Sequence, residues 1–101
     1  MSLTDLAATI AARADADPDT SWTARLLANP GKAAEKFGEE AVEAIIEAVK
    51  GDRAALTAEA ADALYHLLVM CAARDVSLAD IEAELAKRQS QSGISEKASR
   101  P

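Results

Sequence analysis

Apolar residues recur at helical intervals along most of the chain, and no stretch alternates as a strand would. Leu3, Leu6, Ala7, Ile10, Ala11 and Ala14 lay one apolar face along a helix over 3–16, with Ser2 or Thr4 to cap it. Asp15-Ala16-Asp17-Pro18-Asp19 breaks the pattern. A short helix follows, capped by Thr20 or Ser21, with Trp22, Leu26 and Leu27 facing inward. Asn29-Pro30-Gly31 is a turn, and Pro30 suits the first position of a helix that runs to about Lys50 and stops at Gly51. Asp52 caps the next helix, from about Arg53 to Arg74. Ser77 starts the last one, to about Arg88, and Asp80 completes a Ser-x-x-acid capping box. The expectation is an all-α bundle of four main helices and one short one over 1–89. The polar, aperiodic segment SQSGISEKASRP (90–101) is expected to be a flexible tail.

Two stretches refine the picture. From Leu64 to Ala73 the chain reads LYHLLVMCAA, apolar on nearly every side. Such a helix belongs at the centre, enclosed by neighbours or by a second copy. On the helix before it, Ala41, Val42, Ile45, Ile46 and Val49 form an apolar surface expected to dock onto the core. Glu39, Glu40 and Glu43 would then border the seam, spanning roughly 100° of helix surface.

Size favours pairing. A chain of 101 residues buries only about 60–65% of its unfolded surface, so a single copy has a thin core and a homodimer, formed through helices, would relieve it. Hydrophobic residues make up 50% with one Phe, one Trp and one Tyr, which suits close helix-on-helix packing. The balance of 11 basic and 17 acidic residues, net −6, argues against a general nucleic-acid surface. The lone Cys71 excludes an internal disulfide and fits a reducing cytosol. The N-terminus has no secretory pattern, and the charge-free run 63–73 is short of the about 20 residues a membrane helix needs. A cytoplasmic protein acting away from membranes is expected.

Candidate chemistry lies in the acids. Glu39, Glu40 and Glu43 share one helix face, and Glu59 and Asp62 open the apolar helix. Glu35, Glu39, Glu43 and Glu47 form an i, i+4 ladder of like charge, each step costing about 0.2–0.5 kcal/mol on an isolated helix. Lys36 and Lys50 offset part of that. A hard divalent cation, Mg²⁺ or Mn²⁺, reverses the sign of the balance. The alternative is a solvated acidic face, which a position beside a core seam disfavours. His66 reads as a hydrogen-bonded core histidine, with an outer role at the metal as the other reading. Tyr65 reads as packing and Cys71 as an inert core residue. Arg25, Lys32 and Lys36 flank the acidic helix and are candidates for holding phosphate, as are Lys97 and Arg100 in the tail.

The strings K-F-G-E-E-A-V-E (36–43) and E-A-A-D-A-L-Y-H-L-L-V (59–69) resemble the phosphoribosyl-ATP pyrophosphohydrolases of histidine biosynthesis, within the MazG-type all-α nucleotide pyrophosphohydrolases. S-W-T-A-R-L-L (21–27) and S-G-I-S-E-K-A-S-R (92–100) extend the likeness over most of the chain from Ser21. The resemblance implies Glu40, Glu43, Glu59 and Asp62 as metal ligands, with Glu39 ligating or orienting the site; beside it, Glu39 is the first candidate for the catalytic carboxylate that orients the attacking water or takes its proton. It implies Mg²⁺-assisted hydrolysis of phosphoribosyl-ATP to phosphoribosyl-AMP and pyrophosphate by a small helical homodimer. Trp22 stands where a Tyr is common, and Asp75 where a helix-ending Gly is frequent. The rival readings are a house-cleaning nucleoside triphosphate pyrophosphohydrolase and a non-catalytic helical dimerisation module.

Overall fold

Two long helices, α3 (Pro30–Lys50) and α4 (Arg53–Ala72), form an antiparallel hairpin that carries the rest of the chain. The computed structural model describes residues 1–89; Ser90–Pro101, with Lys97 and Arg100, lies outside the described residues. The remaining elements are α1 (Leu3–Ala12), α2 (Trp22–Leu27) and α5 (Leu78–Arg88), and there is no strand among the described residues. α1 and α2 pack on α4, α2 also meets α3, and α5 meets α1. The all-α expectation holds.

Local chemistry explains the boundaries. Ser2, not Thr4, caps α1: its hydroxyl accepts from the Asp5 N–H at 3.0 Å while the Asp5 carboxylate accepts from the Ser2 N–H at 3.2 Å. α1 stops at Ala12, short of the expected Ala16, because Arg13, Ala14 and Ala16 bond back three residues and wind into turns. Asp17 precedes Pro18, which disfavours helix there, and its side chain accepts from the Asp19 N–H at 2.9 Å. Ser21 caps α2, Asn29 caps α3 with Pro30 in its first turn, and Asp52 caps α4. Gly51 closes α3 at φ 81°, and Ser77 with Asp80 forms the expected box at α5.

The helical pattern of α4 ends at Ala72, and its last turn closes as a Schellman motif. The Asp75 N–H donates to Ala72 O at 3.0 Å and the Val76 N–H to Cys71 O at 2.9 Å. Asp75 takes the left-handed position, φ 61°, that a Gly would occupy without steric cost. Asp75→Gly is therefore expected to raise stability in urea unfolding by about 0.5–1 kcal/mol, the relief of strain exceeding the added freedom of the unfolded chain. An unchanged or lower midpoint would refute it.

The core is Ile10, Leu26, Ala33, Leu68 and Val69, with Leu6, Leu27, Tyr65, Leu78 and Ile81 packed against it. Leu26 and Leu27 face inward as expected. Trp22 does not: at the first position of α2 it is 43% exposed, with the Arg25 guanidinium 6.0 Å from the ring centroid.

The larger correction concerns α3. Val42, Ile45, Ile46 and Val49, expected to dock inward, are 54, 60, 48 and 82% exposed. The side half-buried toward α4 is instead Lys36, Phe37, Glu40, Ala41, Ala44 and Glu47. Small alanines there let the two helices approach, so the acids lie in the seam and the branched apolar residues point out. α4 is likewise open on one side: His66, Leu68 and Val69 are buried, whereas Leu64 is exposed and Leu67, Met70 and Cys71 are half-buried. By length and composition alone α4 would suffice to cross a bilayer, which its charge-free run did not suggest. In the fold it is the helix on which α1, α2 and α3 converge.

Candidate metal centre

The hairpin places Glu40 and Glu43 of α3 against Glu59 of α4, and one carboxylate oxygen from each lies within 4.8 Å of the other two. Glu40 and Glu59 are half-buried in the seam, and Glu43 is exposed at its mouth. With α3 and α4 joined only by Gly51 and Asp52, the register of the hairpin fixes which turns meet.

Electrostatics mark this group as incomplete. The Glu59 carboxyl is pushed above the ordinary glutamate range, first by a shared-proton hydrogen bond with Glu43, then by burial and by the charges of Glu43, Asp62 and Glu40. Glu59 Oε2 is a buried oxygen with no hydrogen-bond partner. Glu40 is raised as well, by burial first and then by Glu43, with His66 pulling the other way. An all-carboxylate donor set with one buried, unpartnered oxygen suits a hard divalent cation such as Mg²⁺ or Mn²⁺.

The other expected residues occupy distinct places. Asp62 is exposed at the rim, outside the three-carboxylate group, but its charge raises both Glu40 and Glu59. Glu39 is turned to Lys36, whose Nζ donates to Glu39 Oε2 at 3.0 Å and lowers the carboxyl's pKa. The same ammonium is 3.9 Å from Glu40 Oε1. Lys32 pairs with Glu35 at 3.7 Å, and Arg25 Nε donates to Pro18 O at 3.1 Å. Of Arg25, Lys32 and Lys36, Lys36 alone is paired with acids of the two motifs. Two apolar clefts, one against Ile10, Leu68 and Val76 and one against Ala14, Leu27 and Ala73, contain none of the five acids.

Sequence reasoning missed one link. The Tyr65 hydroxyl bonds Thr23 Oγ1, tying α2 to α4 beside the acids, so Tyr65 is more than packing. Its ring meets His66 edge-on at 4.9 Å between centroids. The cue was available in a Thr of the S-W-T-A string and the single Tyr of the chain, but nothing in spacing joins them.

The raised carboxyls set a pH dependence. A carboxyl whose folded pKa is raised contributes stability below its ordinary value, and that contribution is lost as pH rises through the raised one. For Glu40 and Glu59 the loss begins near the ordinary value of 4.5 and continues above it. Asp80 and Glu39, both lowered, act oppositely and below their ordinary values of 3.8 and 4.5. The melting temperature without metal is expected to lag increasingly behind that with Mg²⁺ as pH rises above 4.5. Parallel curves would refute it.

The chain is similar to proteins of one family. A family model described as phosphoribosyl-ATP pyrophosphohydrolase matches residues 3–89. A protein of Jannaschia sp. strain CCS1, named phosphoribosyl-ATP pyrophosphatase, is 76% identical over 99 residues, covering 97% of each chain. Its namesake in Ruegeria pomeroyi is 74% identical over 100 residues, 98% of this chain and 95% of the relative. The protein of that name in Paracoccus denitrificans is 75% identical over 96 residues, covering 94% and 89%.

Proposed function

The chain belongs to the phosphoribosyl-ATP pyrophosphohydrolase family, and on that premise we propose that it hydrolyses phosphoribosyl-ATP to phosphoribosyl-AMP and pyrophosphate, the second step of histidine biosynthesis. The observation that carries the proposal is the convergence of Glu40, Glu43 and Glu59 around a buried oxygen without a partner.

The donor set fits Mg²⁺, with Mn²⁺ as a substitute, held by Glu40, Glu43 and Glu59 with Asp62 at the rim. When bound, the cation neutralises the triphosphate and lowers the pKa of a water. The chain does the rest. Glu39 lies outside the three-carboxylate group and stays ionised at neutral pH because Lys36 holds its pKa down. Lys36 engages its Oε2, which leaves Oε1 to orient the attacking water or accept its proton. Lys36 spans Glu39 and Glu40 and supplies a cation at the edge where the phosphates arrive. Lys32 and Arg25 are further candidates for holding phosphate, and the candidates Lys97 and Arg100 lie outside the described residues.

Two further parts belong to the proposal. The chain is a homodimer, supported by the exposed stripe Val42, Ile45, Ile46 and Val49 and by the small buried core. It works in a reducing cytoplasm, which the free Cys71 suits.

The test is pyrophosphate release from phosphoribosyl-ATP with Mg²⁺, run in competition with ordinary nucleoside triphosphates. Release that requires Mg²⁺ and prefers phosphoribosyl-ATP is expected. Preference for the ordinary triphosphates would favour a house-cleaning role, and no release from any of them would leave a binding module.

A further inference from the structure

The buried side-chain polar atoms without a hydrogen-bond partner among the described residues are Glu59 Oε2 and His66 Nε2. They stand seven residues apart on α4, two turns along one face of the helix. Glu59 meets Glu43, and because the hairpin is antiparallel, later turns of α4 face earlier turns of α3. Seven residues on from Glu59 corresponds to seven back from Glu43, so His66 lies opposite Lys36, the residue that spans Glu39 and Glu40, and an imidazolium at His66 would lower both acids.

The imidazole is locked. His66 is 8% exposed, and its Nδ1 lies 2.8 Å from Asp62 O. A carbonyl only accepts, so Nδ1 carries a proton and, in the neutral ring, Nε2 presents a lone pair. A buried acceptor without a donor is unfavourable. Glu59 Oε2 and His66 Nε2 both have no hydrogen-bond partner, and a hydrated divalent cation would offer charge to the first and a water donor to the second. Mg²⁺ keeps several waters when it binds, and those waters are polarised donors.

We propose that His66 is a positioning residue whose Nε2 accepts a hydrogen bond from a water of the hydrated cation held by Glu40, Glu43 and Glu59. It rests on the metal reading given above. The histidine thereby orients the cation's water shell from the core side, while Asp62 and Glu43 face solvent.

His66 is the single histidine of the chain, so its ring nitrogens are read without ambiguity in ¹⁵N-histidine-labelled protein. Mg²⁺ is expected to leave the Nδ1–H tautomer in place and to shift Nε2 in the direction of an accepted hydrogen bond. His66→Asn keeps only the near donor, and its Mn²⁺ affinity, measured by calorimetry, is expected to fall about 10- to 100-fold. His66→Gln retains an acceptor at the reach of Nε2 and is expected to recover most of that loss. Mg²⁺ binding with heat but with Nε2 unmoved would overturn the role of His66 and leave the metal site standing. Absence of any Mg²⁺ binding by the parent protein would overturn the metal reading and this proposal together.

Discussion

Glu59→Gln is expected to make the metal-free protein more stable and at the same time to remove its response to Mg²⁺. The amide keeps the shape of the side chain, removes one of three converging charges, and gives Glu43 a donor in place of a repelling oxygen. The buried atom that lacks a partner in the parent gains one. The parent, at Mg²⁺ a hundred times its Kd, gains about 2.7 kcal/mol, roughly 10–20 °C in Tm for a chain this small. The variant should melt above the metal-free parent and show no such gain. Pyrophosphate release should fall by at least about 100-fold, since a first ligand matters no less than its outer supports. A variant that still melts higher with Mg²⁺, or keeps its activity, would remove Glu59 from the site.

Ile45→Lys is expected to split the homodimer proposed above. Val42, Ile45, Ile46 and Val49 follow the i, i+3, i+4, i+7 spacing of a helix that packs against another helix, yet among the described residues no element covers them. Burying an Ile side chain contributes about 1.5–3 kcal/mol, and a two-fold interface counts the residue twice. Its loss weakens pairing by about 100- to 10,000-fold, and an unpaired ammonium in the seam adds to that. Light scattering should report twice the chain mass of 10.6 kDa for the parent and the single-chain mass for the variant. Ala83→Lys, on the exposed side of α5, should leave the dimer intact. A monomeric parent, or an Ile45→Lys dimer, would refute pairing through this face.

The order of helices was legible because caps and stops are local chemistry. Ser21, Asn29-Pro30, Gly51-Asp52 and Ser77-Asp80 each punctuate the chain within four residues. The grouping of Glu40, Glu43 and Glu59 was legible too, since helical spacing and a short hairpin leave the acids little choice. The rotation of α3 was not. Counting apolar residues turns Val42, Ile45, Ile46 and Val49 inward, which holds when a chain must bury its own faces. A chain that pairs has a second solution, with alanines on the internal seam and the larger residues kept for a partner. Trp22 escaped for a related reason: periodicity says which residues share a side, not where the neighbouring helix ends. The partner of Tyr65 lies 42 residues away at Thr23, beyond any pattern of spacing.

The turn at Gly51 and Asp52 has a kinetic consequence. All of the converging acids lie on one hairpin, and closing it orders only the two residues between α3 and α4. Loop closure of that length has a small entropic cost, and local contacts of this kind form early in folding. The carboxylates are therefore expected to come together before α1 and α5 dock, while the chain is still mostly solvated. Their repulsion opposes the first step of folding as well as the final state, so added salt should speed refolding more than it slows unfolding.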